Sequence, residues 1–175
     1  MKPVSRDDNA QDSAGAPHAT QLFVYGTLRH DKPEHARFCR GVTHWRRARV
    51  RGRLWQLSSG YLMLVLSARD VLLHATSDAA ADERLRARLE PAAANREDAS
   101  DASWIEGEVL FFRDAAIAWP PIDRWEDYTP GQAGAYQRCV VPAKVCAAEN
   151  ATEALAFVWA YVATKPPPGA FQQRQ

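Results

Sequence analysis

The segment Ala154–Ala163, ALAFVWAYVA, places the tightest limit on the fold. It is apolar at alternating positions on both sides, which reads as a strand buried on both faces. Other elements must then cover it from two directions, and a chain of 175 residues has room to do so within one domain.

The covering elements also read mostly as strands. Gln21–Tyr25 (QLFVY) is short and apolar and stops at Gly26. His44–Leu57 alternates: Val50, Gly52, Leu54 and Gln56 share one face, while Arg49, Arg51, Arg53, Trp55 and Leu57 share the other, an arginine face wet at one end. Ser58-Ser59-Gly60 is a turn signal, and Tyr61–Leu66 returns to form a hairpin. Trp104–Phe112 and Tyr136–Cys146 complete the set. Val24 and alternate residues of the last strand, such as Phe157, Trp159 and Tyr161 or their neighbours, are expected to line its interior side.

Two helices are expected. Asp78–Leu89 has acids early and arginines late, with Pro91 as a stop. A second begins at Pro120-Pro121 and runs through Glu126, ending before Pro130-Gly131. The stretch 67–103 around the first helix is rich in Ala, Asp and Arg and reads as an insertion, a solvated surface excursion without chemistry. Residues 1–20 hold almost no large apolar side chain and read as a disordered tail, and 165–175 as a flexible C-terminal tail. The domain proper is then 21–164.

Net charge is +1, so charge gives no reason to expect nucleic acid or a membrane surface as partner. The arginine row from Arg46 to Arg53 reads as a solvated strand face. No apolar run is long enough to span a bilayer, and there is no signal-peptide pattern. Three cysteines are too few for a disulfide scaffold, and Cys139 and Cys146 should point to opposite faces of one strand. These features point to a reducing cytoplasm. Neither the five histidines nor the cysteines show metal-ligand spacing, and no phosphate loop, dinucleotide fingerprint or serine elbow is present, so no cofactor is expected.

Two segments could carry chemistry. A strand that ends at Gly and turns at once, as in Tyr25-Gly26-Thr27-Leu28-Arg29, can aim consecutive N–H groups into an anion-binding nest; otherwise Gly26 only turns the chain. In Ile122-Asp123-Arg124-Trp125-Glu126-Asp127-Tyr128, Glu126 follows Ile122 by four and lies near the apolar face, where burial would raise its pKa toward a value useful for proton transfer. The other reading is a solvated acidic face of Asp123, Glu126 and Asp127 pairing with Arg124 or Arg138.

Taken in order, these pieces resemble the γ-glutamylcyclotransferase-like family. Leu22–Arg29 resembles its opening strand and substrate loop, and Val50–Trp55 with Ser59-Gly60-Tyr61 its second strand and hairpin. Ile105-Glu106-Gly107-Glu108-Val109 resembles its "GE" strand. Ile122–Tyr128 followed by Tyr136-Gln137-Arg138 resembles the segment with the catalytic glutamate and the Tyr-x-Arg strand. The resemblance implies an α+β fold, a small mixed β-barrel flanked by short helices. It implies a cyclotransferase acting on a small-molecule γ-glutamyl substrate, with Glu126 as general acid/base. Tyr25, Gly26, Thr27 and Leu28 are then the substrate loop and Tyr136 a wall or hydrogen-bond donor. The loop is more similar to that of the γ-glutamylamine branch, and the longer loop of the glutathione-specific branch is missing. Asp127 stands where the family commonly has Gly, and Leu62 where Pro usually follows the tyrosine. The alternative is a non-catalytic small-molecule-binding member of the same fold, against which the presence of Glu126 argues.

Overall fold

A computed structural model describes residues 19–89, 102–146, 152–163, 165–166 and 168–173. The elements are β1 (Thr20–Val24), α1 (Pro33–Phe38), β2 (Val42–Gln56), β3 (Leu62–Val65), a 3-10 turn (Ala68–Asp70), β4 (Leu73–His74), α2 (Ala79–Arg86), β5 (Ser103–Phe112), α3 (Ala115–Trp125), β6 (Gln137–Cys146), β7 (Glu153–Val162) and β8 (Phe171–Gln172). The strands run in the order β3-β2-β5-β1-β7-β6-β4, and β2 also pairs with β6. The path β2-β5-β1-β7-β6 thus returns to β2, so the sheet curls until it meets itself. The strand pairings are antiparallel except β1 with β7, where Leu22 lies opposite Trp159 in parallel register, and Val65 of β3 makes a further parallel bridge to Ala163 just past β7. The architecture is the mixed α+β arrangement expected, strand-rich with few short helices.

The concave side holds Phe23, Val50, Leu64, Ile105, Val109, Val141, Val158, Ala160 and Val162, all buried. The convex side packs Leu22, Val24, Leu110, Trp159 and Tyr161 against Ala118, Trp119 and Ile122 of α3. Val24, Trp159 and Tyr161 therefore face the helix, and it is their neighbours that line the interior. Gly107 explains the choice: a Cβ there would lie 2.4 Å from the Val24 carbonyl oxygen and 2.6 Å from the Phe23 ring, so only glycine lets the Phe23 ring cross β5 on the inside.

Three expectations need correction. Helix α3 starts at Ala115, five residues before the prolines. Asp114 caps it, accepting the Ala116 N–H at 2.8 Å. Pro120 and Pro121 lie inside the helix, at a cost of roughly 3 kcal/mol each by intrinsic propensity. Fully burying Trp119 and Ile122 returns roughly 1.5–3 kcal/mol each, so packing offsets most of that cost.

The insertion at 67–103 is built into the fold over its described part. Leu73–His74 pairs with β6. Asp82 is buried and accepts from the backbone N–H and hydroxyl of Thr76, both at 2.8 Å. Buried Arg86 donates to the carbonyls of Phe157 and Ala19 and to Glu83, and Glu83 accepts from the Trp159 indole at 2.7 Å. Charges that read as solvated instead fasten α2 onto β7.

At the ends, Thr20 is buried and opens β1, and Phe171–Gln172 pairs with Gln56 and Trp55 of β2. That part of the expected C-terminal tail is tied down by backbone hydrogen bonds, which an apolar-residue count does not see. The expected N-terminal tail before Ala19 lies outside the described residues. All three cysteines are free, with Cys139 buried and Cys146 half-buried.

Candidate active site

Strand β1 ends at Val24, and the next four residues turn over one end of the curled sheet, closed by the Arg29 N–H on the Gly26 carbonyl at 3.3 Å. The Leu28 side chain is buried and pins this loop to the convex core. Tyr25 is fixed at its hydroxyl, which donates to the Tyr161 carbonyl at 3.2 Å and accepts the Leu64 N–H at 3.1 Å. The Tyr136 hydroxyl donates to the Leu62 carbonyl at 3.0 Å, so its proton is already engaged and Tyr136 serves as a wall. Among the described residues the N–H groups of Thr27 and Leu28 have no backbone acceptor. Gly26 does not adopt the left-handed conformation that the nest reading invokes, and a Cβ there would meet open space. Its lack of a side chain keeps the cavity clear of an obstruction.

Glu126 arrives from the other side, at the C-terminal end of α3. The helix closes with the Tyr128 N–H on the Asp123 carbonyl at 2.9 Å, which places Asp127 in the left-handed region at φ 50°. Glycine is the usual residue for that position, and aspartate tolerates it better than most. The last turn is anchored from beneath. Arg138, 2% exposed, donates to both oxygens of Asp123 at 2.6 and 2.7 Å, and the Tyr161 hydroxyl donates to Asp123 at 2.5 Å. The Arg138 guanidinium stacks over the Trp119 ring at 4.4 Å. The acidic cluster therefore divides: Asp123 pairs with Arg138, and Glu126 is left to the cavity.

That cavity is about 660 Å³ and is lined by Tyr25, Gly26, Thr27, Leu28, Tyr136 and Glu126 together, with Trp125 and Asp127 beside them. The six residues singled out from the sequence thus share one space. Burial pushes the Glu126 carboxyl up to about 7. Its place at a helix C-terminus, the negative end of the dipole, works in the same direction. Among the described residues the carboxylate has no hydrogen-bond or ion-pair partner. Burial, with the Glu126 charge adding to it, also lifts Tyr136 and Cys39 to about 12 and Tyr25 well above its usual value. Cys39 is therefore a thiol and not a nucleophile.

Sequence reasoning missed three contributors. The hairpin residues Leu57, Ser59, Gly60, Tyr61 and Leu62 form the cavity's outer wall, and Arg29 and Lys32 line it as well. Glu108 lies beneath the loop at 2% exposure and accepts from Arg29 and from the His30 backbone. A carboxylate next to the apolar run Val109–Phe112 was the available signal, since a charge buried there must be paired. His30, Asp31 and Glu108 also bring potential metal-ligand atoms within 4.8 Å of one another. A cation there would compete with the Arg29 guanidinium for the same Glu108 oxygen.

Residues 22–74, from β1 to β4, match the sequence model of the family described as gamma-glutamyl cyclotransferase, AIG2-like. An AIG2-like protein from Mus musculus superposes with a TM-score of 0.50 at 17% identity, covering 87% of this chain and 82% of that one. The fold is γ-glutamylcyclotransferase-like. Two further solved structures are similar to this chain at lower scores. YkqA from Bacillus subtilis has a TM-score of 0.42 and 16% identity over 82% of this chain and 36% of its own. The glutathione-specific γ-glutamyl cyclotransferase from yeast has 0.46 and 12% over 83% and 69%. Comparison with curated protein sequences finds no match.

Proposed function

We propose that the protein is a cyclotransferase that cleaves a γ-glutamyl amine or γ-glutamyl amino acid to 5-oxoproline and a free amine, with Glu126 as general acid/base. The observation that carries this is an unpartnered carboxylate, pushed up to about 7, in the same cavity as the loop Tyr25–Leu28. The reaction needs little else. The substrate's α-nitrogen forms a bond to its own γ-carbonyl carbon, and the bond from that carbon to the departing nitrogen breaks. On becoming the lactam N–H the α-ammonium loses two protons: Glu126 takes one and delivers it to the departing nitrogen, and the second leaves with the released amine, which departs as its ammonium. A carboxyl that titrates near 7 does both at neutral pH. The N–H groups of Thr27 and Leu28 are suited to the oxyanion that develops on the carbonyl. Aromatic walls hold the γ-glutamyl chain folded, which makes the attack intramolecular.

The test is a screen of γ-glutamyl amines and γ-glutamyl dipeptides for release of 5-oxoproline, repeated with Glu126→Gln. Release by the native protein and none by the variant, with substrate binding retained, is the expected result. Undiminished release by the variant would remove Glu126 from the mechanism. Binding without release by the native protein would favour a non-catalytic binder.

A further inference from the structure

Arg29 lines the cavity, yet its role does not follow from the loop that precedes it. Its Nε donates to Oε1 of Glu108 at 3.2 Å, and its side chain is 41% exposed against 2% for Glu108. The second Glu108 oxygen accepts the His30 backbone N–H at 2.8 Å, and His30 Nδ1 lies 2.8 Å from the first. Glu108 itself sits opposite Val24, the last residue before the loop, in the β1–β5 pairing. One buried carboxylate therefore holds the far end of the loop from the strand that supports its near end.

A guanidinium is a planar fork of five donors. Glu108 occupies the Nε position, and among the described residues the two terminal nitrogens have no hydrogen-bond partner. The second cation of the cavity, Lys32, is engaged with Asp31 at 3.2 Å. Asp31 approaches Arg29 only at 4.0 Å. A guanidinium fixed at Nε, on a residue that lines the cavity, suits a carboxylate bound at its terminal edge through two parallel hydrogen bonds.

We infer that Arg29, held in place by Glu108, receives the α-carboxylate of the γ-glutamyl group. This rests on the cyclotransferase reading for the identity of the ligand. It divides the labour of the site: Arg29 anchors the carboxylate, which leaves the Thr27 and Leu28 amides for the reacting carbonyl. Arg29 is a binding residue, and Glu108 is its positioning residue.

The experiment measures calorimetric affinity for 5-oxoproline and for its carboxamide, which differ only in the charge of that one group. The native protein should bind 5-oxoproline at least about tenfold more tightly, the worth of a charge-assisted pair. Arg29→Met should bring the ratio close to one; because it also takes a cation from buried Glu108, melting is followed in parallel, and Arg29→Lys, which keeps the charge but not the planar fork, should lower the ratio in a folded protein. Glu108→Gln should lower the ratio by freeing the guanidinium, with melting followed in parallel. A native protein without the preference, or an Arg29→Met protein that retains it, overturns the assignment. If the preference is present and Arg29-dependent while no γ-glutamyl compound is turned over, the carboxylate receptor stands and the cyclotransferase reading falls instead.

Discussion

Replacing Glu126 by Gln should make the protein more stable, and increasingly so as pH rises. An unfolded glutamate loses its proton at its ordinary value of 4.5, while burial holds the folded carboxyl protonated up to about 7. Between those values the folded state binds more protons than the unfolded one, so stability falls with rising pH. The contribution of the protonated carboxyl is complete below 4.5 and is gone once pH passes about 7. The gap from 4.5 to about 7, at about 1.4 kcal/mol per pH unit, amounts to about 3 kcal/mol. Water at the cavity mouth screens part of this, so the figure is a ceiling. Gln has the shape of the protonated acid and does not titrate. Urea denaturation of both proteins at intervals from pH 5 to 8.5 gives the difference directly, and titrations elsewhere cancel. The two should be nearly equally stable at the acid end, with the variant ahead by up to about 3 kcal/mol at the alkaline end. A difference that stays constant across the range would refute burial as the cause and return Glu126 to the solvated reading.

Four further outcomes are expected. With any substrate found in the screen, kcat/KM should rise with pH through about 7, because the free enzyme needs the ionised carboxylate to accept a proton; a flat profile would oppose Glu126 as the base. Gly107→Ala should destabilise by about 3 kcal/mol, since its Cβ meets backbone and ring atoms that cannot withdraw, and urea midpoints will read it. Gly26→Ala should leave the melting temperature unchanged, because the added methyl meets open space, and weaken 5-oxoproline binding by intruding on the cavity. Asp127→Gly should stabilise by about 0.5–1 kcal/mol by relieving a positive φ, seen as a rise of about 1–4 °C in melting temperature.

Much of the strand set was legible because alternation is a local property: β2, its turn at Ser58–Gly60 and the return strand follow from neighbouring residues alone. The elements that were misread depend on distant partners. Asp82, Glu83 and Arg86 look like a solvated helix face, yet the Trp159 indole and the carbonyls of Phe157 and Ala19 receive two of them. The sequence of α3 shows Pro120-Pro121 as a beginning, while packing of Ala118 and Trp119 carries the helix through them.

From the sequence alone came the two-sided burial of β7, which holds for Val158–Val162 but not for the exposed Ala154 and Leu155 at its start, the loop after β1 at Gly26, and a carboxylate one helical turn after Ile122. The sequence could not say which face of β7 turns inward, because both faces are apolar and alternation is then silent; the close approach of Gly107 to the Phe23 ring decides that. The spacing from Ile122 singled out Glu126, but the sequence left open the reading in which Asp123, Glu126 and Asp127 form one solvated acidic face. Only the closed path of strand pairings brings the end of β1 to the end of α3, gives Asp123 to Arg138, and leaves Glu126 desolvated beside the loop, without a partner among the described residues.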